Sequence, residues 1–304
     1  MITAGLKAVR NVVGDSLARL VFHVPQIEQP LLSAGKAVHK IPWLGTLYRR
    51  TVDTYIDMIK ANGTQFRQIS LAGLEMRFDI SDFTAGGYYF KAVLYEPQTT
   101  RIILTDLREG ATFVDIGANV GYYTVIAALL VGSAGKVCAF EPNPEVLRKL
   151  KRHIAMNALE ERVVVSDVAL SDEAQENVAF FVSNCSTNSG CSSLTPSQFA
   201  LSHGWLSYDH RIMVRTETFD QWAANNRLDR VIDLIKIDVE GAEEKVLRGM
   251  INTLATAPPR RIICETKWNS PAHILLLNNG YNAAPLDFAG VGYDNILYTH
   301  NSSH

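Results

Sequence analysis

The sequence predicts an α/β fold built on a mostly parallel sheet covered by helices on both faces. Three observations predict it. After Gly110, short apolar runs alternate with runs of helical character. The apolar runs are continuous rather than alternating in polarity, which is how strands buried on both faces read. The first of them ends in a small-residue corner, FVDIGANVGYYT at residues 113–124, where a strand turns directly into a helix. With 304 residues and 47% apolar content, the chain can bury the core of one large domain and carry an extension.

Along the chain, Ile2, Leu6, Val9, Val13, Leu17, Leu20, Val21 and Val24 recur in helical steps of three and four. Lys7, Arg10 and Arg19 lie off that stripe, and residues 1–50 hold seven Lys/Arg against two acids. Two readings follow: a helix packed on the core or on a second subunit, or a basic helix resting on an anionic membrane surface. Pro25, Pro30 and Pro42 are expected to break the next stretch into short pieces, with a helix over 51–60 ended by Asn62-Gly63. Residues 65–80 favour strands around a turn at Ala72-Gly73, and Ala85-Gly86-Gly87 opens an aromatic patch, Tyr88-Tyr89-Phe90, that is buried packing or a pocket wall. A helix starts at Glu96-Pro97 and runs to about Arg108, since proline is tolerated in a first helical turn.

Strands are then expected at 112–116, 136–141, 162–168, 233–238, 260–266 and 293–299, and helices near 121–131, 144–157, 241–250 and 271–279. An insertion between the third and fourth of these strands carries strand-like runs at 178–182 and 211–216 around SNCSTNSGCSSLTPS (183–197), a loop too small and polar for a core. The expected division is a helical extension at 1–62 and a catalytic domain at 63–304.

A formal net charge of −2 gives no support to nucleic-acid binding. Cys138, Cys185, Cys191 and Cys264 show no Cys-x-x-Cys spacing, so no zinc site is expected. Cys138 and Cys264 read as small core residues, while Cys185 and Cys191 share a loop and are expected to stay reduced. Neither a spanning apolar run nor a signal peptide is read, so a cytoplasmic protein is expected, and the Asn-x-Ser/Thr triplets at Asn62, Asn184 and Asn301 carry little weight.

Ligands of open parallel sheets sit beyond the carboxyl ends of the strands. At that rim Gly117 allows a turn with positive φ and a close approach to the backbone, and Gly121 clears room for packing of helix on strand. The corner lacks the lysine of a phosphate loop. It also lacks the middle glycine of a dinucleotide fingerprint, because Gly117 is followed by Asn119 and Gly121. Asp115 would repel phosphate and attract a cation. S-adenosylmethionine, with a sulfonium, an ammonium and a ribose diol but no phosphate, fits. Glu141, in VCAFEPN, stands where an acid accepts ribose hydroxyls, and Asp167 could accept from the adenine amino group.

FVDIGANVGYYT, AFEPNP and LIKIDVEGAEEKVLRG together resemble the FkbM-type methyltransferases, a branch of the class I S-adenosylmethionine-dependent enzymes. The resemblance covers about 88–299 and takes in Glu96-Pro97, the loop from Asn188-Ser189-Gly190 to Ser193-Leu194, and the closing DNILY. It implies a Rossmann-like seven-stranded, mostly parallel sheet with its last strand antiparallel, and methyl transfer, usually to a hydroxyl. Carried over residue by residue, it implies that Asp115, Gly117, Asn119 and Gly121 contact the methionine part, Glu141 the ribose and Asp167 the adenine. The first 60 or so residues fall outside it.

Alternation in the fourth strand puts Lys236 and Asp238 on one side and Ile235 and Ile237 on the other. Methyltransferases that act on amide or exocyclic nitrogen commonly carry Asn/Asp-Pro-Pro-Tyr/Phe here. Asp-Val-Glu-Gly in its place favours a hydroxyl acceptor. Asp238 or Glu240 is the candidate general base. The alternative is that Asp238 binds the cofactor's ammonium and Glu240 caps the next helix. Glu265 faces the same pocket or is a surface acid; Lys236 steadies an oxyanion or pairs with an acid; His203 and His210 flank the insertion loop. No compact set of acids demands Mg²⁺, though Asp238 with Glu240 or Glu265 leaves it open. The Ser/Asn-rich loop, with Trp205 and Tyr208, would suit a sugar through hydrogen bonds and ring stacking. The sequence therefore predicts a methyltransferase acting on a hydroxyl of a glycan, lipid-linked sugar or secondary metabolite. A non-catalytic cofactor-binding scaffold and an NAD-dependent oxidoreductase are the alternatives, and peripheral membrane contact and self-association stay open.

Overall fold

Prolines start helices in the amino-terminal region rather than breaking it. The structure, a computed structural model, describes residues 2–38, 41–63, 65–81, 88–89, 94–183, 192–195, 210–290 and 293–302. The readings on Ala85-Gly86-Gly87, Phe90, Asn184, Cys185, Asn188-Ser189-Gly190, Cys191, His203, Trp205 and Tyr208 lie outside them. Helix α1 (Ile2–His23) is followed by a short 3₁₀ turn, α2 (Glu28–Val38) and α3 (Pro42–Ala61). Pro30 sits in the first turn of α2 and Pro42 opens α3, where their missing N–H groups cost nothing, so the short pieces and the start at residue 51 expected from sequence give way to two longer helices. Strands β1 (Phe66–Leu71) and β2 (Leu74–Asp79) pair through a two-residue turn in which Ala72 and Gly73 both have positive φ.

The described chain divides into two compact units, Met1–Ile69 with Arg77–Tyr95 and Ser70–Met76 with Glu96–His304. In the first, buried Glu28 accepts both guanidinium donors of Arg67 at 2.9 Å and the hydroxyls of Tyr55 and Tyr89. Burial pushes its carboxyl up, but these donors outweigh burial and hold it below the usual range. Tyr89 is thus buried packing.

The second unit is a seven-stranded sheet with helices. After α4 (Pro97–Asp106) come β3 (Thr112–Ile116), α5 (Tyr122–Leu130), β4 (Lys136–Phe140), α6 (Pro144–Met156) and β5 (Val163–Ser166). A small three-stranded sheet of β6 (Ala169–Leu170), β7 (Gln175–Val182) and β8 (His210–Glu217) forms the insertion. Then follow α7 (Phe219–Asn225), β9 (Leu234–Ile237), α8 (Glu243–Arg248), α9 (Ile251–Thr256), β10 (Arg261–Thr266), α10 (Pro271–Asn278), β11 (Tyr281–Gly290) and β12 (Tyr293–His300). The strand order is β11-β12-β10-β9-β3-β4-β5, parallel from β5 to β10 and antiparallel at β12.

Several elements of this unit differ from the sequence expectation, helix α7 and the two-residue strand β6 among them. The helix expected over 241–250 ends at Arg248, and between it and α9 Gly249 passes so close to Ser171 that an added Cβ would lie 1.9 Å from its carbonyl oxygen. Strand β11 was not expected; Pro285 is tolerated there because the strand is an edge. One core cluster joins Val114, Cys138, Phe140, Ile235, Ile237 and Cys264 to Phe219 and Trp222. Cys138 and Cys264 are buried free thiols, as read from sequence. Among the described residues no helix is long and apolar enough to cross a membrane.

Candidate active site at the carboxyl rim of the sheet

The corner after β3 is shaped by the protein's own backbone. Gly117 has φ +83°, and a Cβ there would lie 1.8 Å from the carbonyl oxygen of Asp238. The close approach expected for a ligand is therefore made by the end of β9. At Gly121, φ +90°, a Cβ would meet Leu150 Cδ1 at 2.4 Å, so this glycine lets α5 pack on α6 rather than on a strand. Asn119 lies between them in the left-handed region, where asparagine is tolerated.

Asn119 N–H donates to Glu141 Oε2 at 3.0 Å, and Asn143 N–H donates to Oε1 at 2.8 Å. Glu141 thereby ties the end of β4 to the glycine corner, and burial pushes its carboxyl up to about 7 against those two donors. Asp115, 2% exposed, accepts the Thr124 hydroxyl at 2.6 Å. Burial raises it to about 6, opposed by Thr124 and Lys236. Asp167 is not gathered with them: its side chain is 69% exposed and stands 3.4 Å from Arg215.

A second cluster forms at the end of β9. The register pairs Lys236 with Asp115 on β3 and Ile263 on β10, so Lys236, Asp115 and Glu265 share one face of the sheet. Lys236 Nζ is 2.7 Å from Asp238 Oδ2, 3.8 Å from Glu96 Oε2 and 5.2 Å from the ring centre of Tyr123. Tyr123 in turn donates its hydroxyl to Glu96 at 2.8 Å. Burial pulls the lysine down, but the carboxylates of Asp238, Glu96 and Glu265 outweigh it and hold the ammonium above its ordinary range. Burial, then Asp238, pushes Glu240 up to about 8 and Glu265 to about 10. Oxygens of Glu96, Asp238 and Glu265 all lie within 4.8 Å of one another, and the cation they face is the lysine ammonium.

The alternative that Glu240 caps the next helix is not what the structure shows, since the N-cap position of α8 is Ala242 with no side-chain cap. Glu243, not Glu240, accepts the N–H of Gly241 at 2.9 Å, while Glu240 holds a left-handed φ of 55° with no hydrogen bond from its carboxyl to a described residue. Glu96, Tyr123 and Thr124 were not singled out for the site. The described part of the serine-rich loop does reach the corner: buried Ser193 donates to the Val239 carbonyl at 3.2 Å, and Thr195 lies against Gly241.

These residues fit a cationic methyl donor. Asp115, Glu141, Glu240 and Glu265 are all held toward their neutral forms by burial, so positive charge at this rim stabilises their ionised forms. Glu141 keeps a second lone pair on each oxygen for ribose hydroxyls.

Comparison with known proteins agrees. The chain is 27% identical to the hexuronic acid methyltransferase AglP of Haloferax volcanii over 160 residues, 52% of this chain and 58% of that one. It is 31% identical to the 2-O-methyltransferase NoeI of Sinorhizobium fredii over 146 residues, 46% of this chain and 58% of that one. The match thus spans somewhat over half the length of these relatives. A SAM-dependent O-methyltransferase of known structure from Thermotoga maritima is similar at a TM-score of 0.40, with 14% identity and 77% of each chain covered. The methyltransferase FkbM domain is matched over residues 115–282, which hold Asp115, the corner glycines, Glu141 and the β9 cluster apart from Glu96. The matched segment is more than half of the sequence, and the chain belongs to the FkbM methyltransferase family, whose cofactor is S-adenosylmethionine.

Proposed function

We propose that this chain is an S-adenosylmethionine-dependent O-methyltransferase for a hydroxyl of a sugar, glycan or secondary metabolite, with residues 63–304 as the transferase domain. The observation that carries this reading is the state of Asp238. Its Oδ2 is taken by the Lys236 ammonium, its Oδ1 accepts no hydrogen bond from a described residue, and its side chain keeps 17% exposure at the rim. A hydroxyl oriented there would give its proton to Oδ1, leaving its oxygen to accept the methyl group. Bound S-adenosylmethionine supplies the activated methyl, and the chain supplies alignment, which in favourable cases lowers a barrier by about 7–11 kcal/mol. Proton removal by Asp238 adds about 10²–10⁴-fold. Glu240, pushed toward its neutral form, is largely protonated near neutrality. Asp115, Gly117, Asn119, Gly121 and Glu141 form the cofactor side, and Asp167 reaches the adenine from the surface. That one relative is named as a hexuronic acid methyltransferase and another as a 2-O-methyltransferase supports a sugar hydroxyl. Radiolabelled methyl transfer onto p-nitrophenyl β-D-glucuronide and onto fractionated glycans tests it. Label in an alkali-stable ether supports the reading; label only in amines or carboxyl esters sinks it.

The amino-terminal helices favour a peripheral membrane contact. Val9, Val12, Val13 and Leu20 on α1 are 39–65% exposed, with basic Lys7 and Arg19 also exposed. Co-sedimentation with phosphatidylglycerol vesicles should fall in Val12→Glu; equal sedimentation of both proteins ends that reading.

A further inference from the structure

Glu96 lies outside the family-matched segment and is built into the site with unusual care. It has a left-handed backbone, φ 40° and ψ 76°, a conformation that side-chain-bearing residues rarely adopt and that clusters at functional positions. The strain is held in place from both directions. Thr100 N–H donates to the Glu96 carbonyl at 2.8 Å, starting α4. Asp287, on β11, accepts the N–H groups of Gln98 at 3.0 Å and Thr99 at 2.7 Å, fixing the first turn of that helix. The carboxyl of Glu96 consequently arrives at the rim with only 12% exposure, where Tyr123 donates to it.

Glu96 reaches the Lys236 ammonium from a different element than the other acids around it: Asp238, Glu240 and Glu243 follow β9, Glu265 is on β10 and Asp115 on β3. Lys236, 2% exposed, has four carbons of reach, three donors and an aromatic face at 5.2 Å. A lysine held only by Asp238 could swing and take both carboxylate oxygens. In the structure the ammonium has the Glu96 carboxylate 3.8 Å away and meets Oδ2 of Asp238, while Oδ1 accepts no hydrogen bond from a described residue. We propose that Glu96 is a positioning residue of the transfer site: with Tyr123 it anchors the Lys236 ammonium, and so fixes the Asp238 carboxylate with one oxygen free for the acceptor hydroxyl. The role in transfer rests on the methyltransferase reading, whereas the anchor itself does not.

The test uses the full chain, uniformly labelled with nitrogen-15, and reads the Lys236 ammonium in proton–nitrogen spectra, assigned by its loss in Lys236→Met. S-adenosylmethionine affinity is measured in parallel by calorimetry. In Glu96→Gln the ammonium signal should move and its protons should exchange with water at least tenfold faster. Tyr123→Phe keeps every charge and should shift the same signal in the same direction by less, and it decides the matter if Glu96→Gln does not fold. An ammonium signal unmoved by these substitutions overturns the proposal. A parent protein that binds no S-adenosylmethionine overturns the methyltransferase reading instead, and the ammonium signal still decides whether Glu96 is the anchor.

Discussion

Gly110 and Gly117 share a φ of +83° and differ in what surrounds them, which makes a controlled experiment. At Gly110 an added Cβ meets nothing within 4 Å; at Gly117 it lies 1.8 Å from the Asp238 carbonyl oxygen. Gly110→Ala should therefore cost only the left-handed backbone term, about 1–2 kcal/mol. Gly117→Ala adds an overlap of well over 1 Å with a backbone atom that cannot rotate away, an overpacking cost of about 1–3 kcal/mol or more. The total of about 2–5 kcal/mol is a large share of a typical domain stability of about 5–15 kcal/mol. Because the displaced carbonyl belongs to Asp238, transfer should also fall, by about 10²-fold for a 1 Å misplacement. Urea unfolding of the two variants beside the parent reads the stability term, and labelled methyl transfer reads the second. Equal unfolding midpoints for Gly110→Ala and Gly117→Ala would refute the reasoning, since backbone conformation alone would then account for both.

Glu240→Gln tests the buried-acid reading through pH. The folded state raises Glu240 from an ordinary 4.5 to about 8, so the folded protein binds more protons than the unfolded one. Stability is then full below about pH 4.5 and is lost as pH rises through 8; the variant should match the parent in Tm near pH 5 and exceed it at pH 9, and a gap constant across that range would contradict this. Thr124→Val removes the hydroxyl donor at 2.6 Å from buried Asp115 and should cost about 1–3 kcal/mol in urea unfolding; a change below about 0.5 kcal/mol would show that Asp115 does not need that partner. Asp167→Ala breaks only an exposed pair with Arg215, so its unfolding free energy should change by less than about 1 kcal/mol, while calorimetry should show weaker S-adenosylmethionine binding if Asp167 meets the adenine; unchanged affinity removes it from the site.

The strands that position the site were legible because each is a short apolar run ending at a polar or glycine residue. Strand β3 is observed at the residues expected, and β4, β5, β9, β10 and β12 within two residues at each end. Elements that depend on distant partners were not. Strand β11 combines Pro285 with alanines and exists because β12 supplies its hydrogen bonds. Helix α7, only seven residues, was not read from the sequence either, although Thr218 accepts the N–H of Gln221 at the start of a Thr-x-x-Gln box. The two halves of the site differ in the same way. Asp115, Gly117, Asn119 and Gly121 sit in one local corner, and Glu141 joins them from the next strand through the Asn119 N–H. Glu96 is 140 residues from Lys236 and reads in the sequence only as a Glu-Pro helix start within the family resemblance, so only the folded chain reveals their proximity. The exposure of Asp167 was likewise invisible, because a strand-end acid reads the same whether or not its neighbours turn toward it.

The account rests on carboxylates that wait for positive charge at the rim of the sheet. The most direct measurement is proton release on ligand binding, from calorimetry near pH 7 in buffers of different ionisation enthalpy, with S-adenosylmethionine compared with S-adenosylhomocysteine. The two differ by the sulfonium charge and its methyl. With Glu141 held at about 7 and Glu240 at about 8, S-adenosylmethionine should bind and release more protons than its uncharged-sulfur product. Equal proton release for the two ligands, or no heat with either, would contradict it.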